Sequence, residues 1–233
     1  REKKYNEAIG ILEDVLKRDV RNREARLTLA LALMETQKPE RAIEELNTLL
    51  ASAPNDQEAR YFLGGAYEEK KMTAEALREY ERIPATSPLY GSAQVRAGYI
   101  LKSQGKTGEA IEKAKKALAE KKSDAALYGL LAALYEADGK LAEAEKTLKE
   151  GLAAAPKSTD LRYRLGMLYD RMGRPDAGIR EMEEILKDDP DSPEALNFIG
   201  YSWADRGIRL DEAEAMIKKA LSLKPGDGFI TDS

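Results

Sequence analysis

What most constrains this 233-residue chain is a period of 34. A small residue recurs at Ala30, Gly64, Gly98, Ala132, Gly166 and Gly200. Three positions further on, a large apolar residue follows at Leu33, Tyr67, Leu101, Tyr135, Tyr169 and Trp203. A second small column runs through Ala8, Ala42, Ala76, Ala110, Ala144 and Gly178. Proline closes the unit at Pro54, Pro88, Pro156 and Pro190, with Val20 and Lys122 in the other two slots. One residue inserted near Ile208–Asp211 moves the last set to Ala213 and Pro225. Four columns held in phase over this length mean an array of one supersecondary unit, which buries its apolar face only against copies of itself.

Each unit reads as two helices. In the fourth, Tyr128, Leu131, Ala132 and Tyr135 form the apolar stripe of a first helix. Gly139 then stands where Gly105, Gly173 and Gly207 also stand, a slot that suits a left-handed helix stop. Leu141, Ala144, Leu148 and Leu152 form the stripe of a second helix, ended by Pro156. Pro84 shortens the second helix of the second unit, because proline removes an interior hydrogen bond. No stretch alternates with period two, so the expected fold is all-α. At one end, residues 2–19 read as a second helix alone, with Tyr5, Ala8, Ile9, Leu12, Val15 and Leu16 on its apolar face. At the other, residues 228–233 read as the opening of a further first helix, so the chain is expected to be a segment of a longer array.

Composition removes several chemistries. With no Cys and no His, disulfides, thiol nucleophiles, histidine relays and ordinary zinc sites lack their side chains. A net charge of −4 opposes a dedicated nucleic-acid binder, whose footprint is basic. No apolar run of about 18 residues exists to span a membrane. The Gly105-Lys106-Thr107 triplet lacks the earlier glycine of a phosphate loop, since Ile100 holds that slot. Asp188, Asp189 and Asp191 lack the glycine and distal glutamate of a calcium loop; Ser192 there reads as a helix N-cap followed by Pro193. The Glu68-Glu69 and Glu183-Glu184 pairs diverge on helices instead of sharing a proton, and the lysines at 113, 115, 116, 121 and 122 make only a modest basic patch. No catalytic residue, cofactor or metal ligand is therefore expected.

The columns resemble those of the tetratricopeptide repeat (TPR) family over essentially the whole chain. That family carries a large residue at position 4, Leu-Gly at 7–8, Tyr at 11, Ala at 20 and 27, an apolar residue at 24 and Pro at 32. On this register full repeats occupy 23–56, 57–90, 91–124, 125–158, 159–192 and 193–226, flanked by partial units at 1–22 and 227–233. Arg26, Arg60 and Arg162 depart from the bulky position 4, and Gly178 replaces Ala. The third repeat is weakest, with Ala97, Ala114 and Ala117 in place of larger core residues. The resemblance implies a right-handed α-solenoid and a non-catalytic scaffold that binds a protein or peptide.

In this family positions 2, 5, 9 and 12 of the first helix line the concave groove. The resemblance thus nominates Leu27, Leu31, Met34, Tyr61, Glu68, Val95, Tyr99 and Lys102, then Tyr163, Met167, Asp170, Asn197 and Tyr201. Repeat four offers Gly129, Ala133 and Glu136, a bare stretch. Tyr67, Tyr135 and Tyr169 hold the repeat column, and Tyr80 and Tyr128 fill other core slots; Tyr61, Tyr99, Tyr163 and Tyr201 have no such duty. Tyrosine offers large area and a polar tip at low entropy cost, which suits recognition. The Lys/Asn clamp of chaperone-tail binders is missing at positions 5 and 9, with Arg96 alone matching in type. Residues 81–101 and 197–233 are similar to bacterial cell-envelope repeat proteins, several of them lipoprotein adaptors in the periplasm, with any lipid anchor lying outside this segment. Two other readings stand beside the scaffold: the substrate-selecting array of a larger enzyme such as a repeat-bearing glycosyltransferase, and a self-assembling hub.

Overall fold

A computed structural model describes residues 2–225 as thirteen α-helices, with no strand among them. The first is α1 (Glu2–Arg18). Three helix pairs follow: α2 (Arg23–Glu35) with α3 (Pro39–Ser52), α4 (Gln57–Glu69) with α5 (Thr73–Glu81), and α6 (Tyr90–Ser103) with α7 (Thr107–Glu120). Three more are α8 (Ala125–Ala137) with α9 (Leu141–Ala154), α10 (Thr159–Arg171) with α11 (Pro175–Asp188), and α12 (Pro193–Asp205) with α13 (Leu210–Leu223). The chain divides into two compact units, residues 1–121 and 122–233. Within each, every helix packs on its neighbours in sequence, the arrangement of an all-α repeat solenoid. The sequence expectation for 228–233 lies outside the described residues.

The 34-residue phase sets where each first helix starts and stops. Asn22, Asp56, Asp124, Ser158 and Ser192 are one repeat column, and each side chain accepts an N–H from the first turn that follows. The bonds run from 2.9 Å at Asn22 to 3.4 Å at Ser192. Tyr90 holds that slot in the third repeat; there α6 has no side-chain cap. The stop is equally regular. Gly105, Gly139, Gly173 and Gly207 all take left-handed φ between 65° and 75°, and the amide of the next residue donates five residues back. Its acceptors are Leu101, Tyr135, Tyr169 and Trp203, so the large apolar column also closes its own helix. Gln37 and Lys71 occupy the same left-handed slot in the first two repeats at φ 54° and 58°, a conformation that costs a non-glycine residue about 1 kcal/mol. The inserted residue is absorbed the same way, by Arg209 at φ 48° just before α13, with its guanidinium 3.9 Å from the Trp203 ring centroid.

Pairing within a repeat rests on the small columns. A Cβ added to Gly64 would sit 2.6 Å from the Tyr80 ring, and one on Gly166 only 2.3 Å from the Met182 methyl. Where the facing residue is Leu46 or Leu148, both fully buried, the small column holds Ala30 or Ala132 instead. In these four repeats the volumes offset each other, alanine with leucine and glycine with tyrosine or methionine, while the third sets Gly98 against Ala114. The second helix of repeat two is cut to nine residues where its counterparts have fourteen, and it ends before Pro84 as proline requires.

The arginines at position 4 have their own partners. Arg60 Nη1 lies 2.6 Å from Glu79, Arg162 Nη1 lies 3.0 Å from Glu181, and Arg26 pairs with Glu45. Each spans nineteen residues and ties the two helices of one repeat. Arg26 and Arg60 also donate to the carbonyls of Val20 and Pro54 at 2.8 and 2.6 Å, and Tyr128 caps Lys122 in the same way at 3.1 Å. The three arginines are paired, partly buried charges, which hold a geometry more than they add stability.

The volume rule gives a test with a built-in rescue. Gly64→Ala should lower stability by about 2 kcal/mol through overpacking on Tyr80. Adding Tyr80→Leu should recover part of that loss, since Ala with Leu is the pairing used at Ala30 and Ala132. Urea titration of the two variants checks it; a double variant less stable than Gly64→Ala alone contradicts the rule.

Candidate functional site

The first helices present the candidate surface, and the structure divides the nominated residues into three classes. Leu27, expected on the open face, is 4% exposed and joins the core that also holds Leu63, so burial there removes it from any open surface. Half-buried residues form the second class: Leu31, Met34, Tyr61, Glu68, Val95 and Lys102 in the first unit, with Tyr163 and Asn197 in the second. Third come the open ones. Tyr99 is 40% exposed, Met167 45% and Tyr201 51%, and Asp170 is exposed beside Met167. All three large side chains occupy position 9 of their repeats.

In the first unit, Tyr61 and Glu68 belong to a bonded cluster. The Tyr61 ring lies 5.7 Å from both the Phe62 and Tyr80 rings. Arg96 of the next repeat stacks over Tyr61 at 5.9 Å and donates to its hydroxyl oxygen at 3.2 Å. The same guanidinium donates to Glu68 at 2.9 Å, and the Tyr80 hydroxyl donates to the same Glu68 oxygen. Burial, reinforced by that bond to Glu68, pushes the Tyr80 phenol well above its usual pKa. Tyr61 and Glu68, expected on the open groove, therefore bond within the fold and link repeats two and three. Sequence could not reveal this, because the partners are 28 and 35 residues away.

In the second unit, a concavity of about 310 Å³ lies between α8 and α10, lined by Glu136, Asp160, Tyr163, Arg164 and Met167. Arg164, one of its walls, lies over Gly129 at position 5 of repeat four; a Cβ there would meet Arg164 Nε at 3.2 Å. Arg164 is held by Asp160 at 2.7 Å, and Arg171 holds Glu136 at 2.8 Å. A second hollow, about 640 Å³, sits in the first unit where the 84–89 segment meets the start of α4. Its strongest cation, Arg23, is already committed to Asp56 at 2.6 Å and Glu58 at 2.8 Å. Among the described residues no group of three or more acidic side chains is arranged to hold a metal, and no helix is long and apolar enough to cross a membrane.

The tetratricopeptide repeat family matches residues 1–59, 101–158 and 137–200. The chain belongs to this TPR family. A stretch of 54 residues is 41% identical to a TPR repeat-containing protein of Pseudomonas aeruginosa; it is 23% of this chain and 9% of that relative's length. Among solved structures, a tetratricopeptide repeat protein from Parabacteroides merdae aligns at TM-score 0.68 and 16% identity over 98% of this chain and 90% of its own. MamA aligns at TM-score 0.56 and 26% identity over 70% of this chain and 94% of its own. TPR proteins commonly act as scaffolds that bind protein partners on such stacked faces.

The two kinds of tyrosine in this TPR chain should separate in stability. Tyr61→Ala, which opens the Phe62–Tyr80–Arg96 cluster, should cost about 2 kcal/mol. Tyr201→Ala, losing a ring already half in solvent, should stay within about 0.5 kcal/mol. Denaturant midpoints measure both, and equal costs would refute the division.

Proposed function

We propose that this chain is a non-catalytic interaction scaffold that holds a partner peptide or domain along the face of its first helices. One observation carries the reading: Tyr99, Met167 and Tyr201, large apolar side chains at one repeat position, are left 40–51% exposed. Scattered exposed apolar residues such as Ile11 and Leu210 are ordinary; these three differ in recurring at one position of the repeat. Leu31 and Met34 extend the apolar surface in the first unit, Tyr163 and Asn197 in the second, with Val95 at the edge of Tyr99. Affinity comes from burying these side chains; Lys102 and Asp170 set register, since rim charges govern specificity and encounter more than strength. Glu68 and Tyr61 contribute by holding repeats two and three in place through Arg96. The similarity of residues 81–101 and 197–233 to envelope adaptors supports a setting at a bacterial cell envelope.

The test is a comparison of captured proteins. Tyr99→Ala combined with Tyr201→Ala should reduce partner retention by roughly tenfold or more, the loss expected for two aromatic anchors. Its helical content and melting temperature should stay near those of the parent. Retention unchanged in a folded double variant would place the binding surface elsewhere.

A further inference from the structure

The charge pattern of the second unit says more about what its open face can accept. Its three first helices, α8, α10 and α12, carry three cationic side chains in all: Arg162, Arg164 and Arg171. Every one is taken, by Glu181, Asp160 and Glu136 respectively. The same helices carry five carboxylates, and Glu194 is matched by Lys224 at 2.9 Å. Asp170 and Asp205 are left, exposed and with no ion pair among the described residues.

Both stand in the last turn of their helices, where the negative end of the helix dipole already disfavours a carboxylate. Neither position repays this cost within the fold. Their placement relative to the exposed apolar groups is regular. Asp170 lies three residues after Met167, and Asp205 four residues after Tyr201, so each acid shares a helix face with an uncovered large side chain. The concavity lined by Tyr163 and Met167 supplies a recess on α10, one turn before Asp170.

We infer that the first-helix face of residues 122–233 docks a protein segment pairing an aliphatic or aromatic side chain with a neighbouring lysine or arginine. The apolar group enters at Tyr163, Met167 and Tyr201, and the cation rests on Asp170 or Asp205. Carboxylates one turn from the apolar contacts set the partner's spacing at about 5–6 Å, which fits residues three or four apart on a helix. Acidic peptides, nucleic acids and anionic lipid surfaces are disfavoured by the sign of this face. The inference rests on the scaffold reading above and names the class of partner.

The probe is a phage-displayed library of random dodecapeptides, selected on the whole chain. Selected sequences should place Lys or Arg within four residues of Leu, Ile, Phe or Trp. Asp170→Asn with Asp205→Asn should weaken such peptides about tenfold at low salt and flatten their salt dependence, without lowering the melting temperature. Asp170→Lys with Asp205→Lys should turn the selection toward acidic peptides. Met167→Ala with Tyr201→Ala should abolish binding in both backgrounds. Peptides that need Met167 and Tyr201, yet show no basic bias and ignore the Asn variants, sink this inference and leave the scaffold reading intact. A selection with no dependence on Met167 and Tyr201, or with no enriched peptide, overturns both for this unit.

Discussion

The structure depends on how closely the two helices of each repeat approach. Gly64 and Gly166 have no room for a methyl group, because Tyr80 and Met182 already fill the space over their backbones. Elsewhere Ala30 and Ala132 leave that room and leucine faces them. In those four repeats the contact is specified as a sum of two volumes, and enlarging either residue would splay the pair. Once the pair is fixed, the next helix has a single face to pack on, and the stack grows by repetition. Even Gly178 obeys this rule, since a Cβ there would lie 2.8 Å from the Gly166 carbonyl oxygen.

Polar groups then fix the register that packing alone leaves loose. The Arg26–Glu45, Arg60–Glu79 and Arg162–Glu181 pairs recur at one offset, and two of the arginines also cap the carbonyl that ends the preceding repeat. A leucine at position 4 would bury more area but could not answer that carbonyl. The N-cap column from Asn22 to Ser192 does the same for the amides of each first turn. Where both devices lapse, at Gln94 and Tyr90, the chain also departs from its rhythm: α5 is short and α6 starts without a side-chain cap.

Periodic features were legible in the sequence; pairwise ones were not. The 34-residue phase placed the helices, the four glycine stops and the break at Pro84, because each is a local demand on the backbone. Gln37 and Lys71 carry no such signal, since only the fold forces a side-chain-bearing residue into that left-handed slot. The arginines at position 4 read as departures from a pattern, although they form a charged column whose partners lie nineteen residues on. Leu27 and Tyr61 stand at position 5, which the family pattern groups with position 9 on one face. Burial among Leu63 and its surroundings in one case, and the Arg96 cluster in the other, are decided by side chains on other helices. Register tells which way a residue points. It does not tell what stands opposite.

Position 9 is where that limit turns into an argument about function. Positions 8, 20 and 24 answer to their helix partner and positions 4 and 34 to backbone groups, so their chemistry is spoken for. Position 9 answers to none of these, and it holds leucine, glycine, tyrosine, alanine, methionine and tyrosine in turn. A surface without duty would drift toward charged residues in a chain that is 34% charged, yet this column contains no charge at all. The charges stand one turn away, at Lys102, Asp170 and Asp205. An apolar position held small by glycine and alanine in two repeats, with charge one turn away, supports the proposed scaffold reading, because interfaces set an apolar core inside a polar rim.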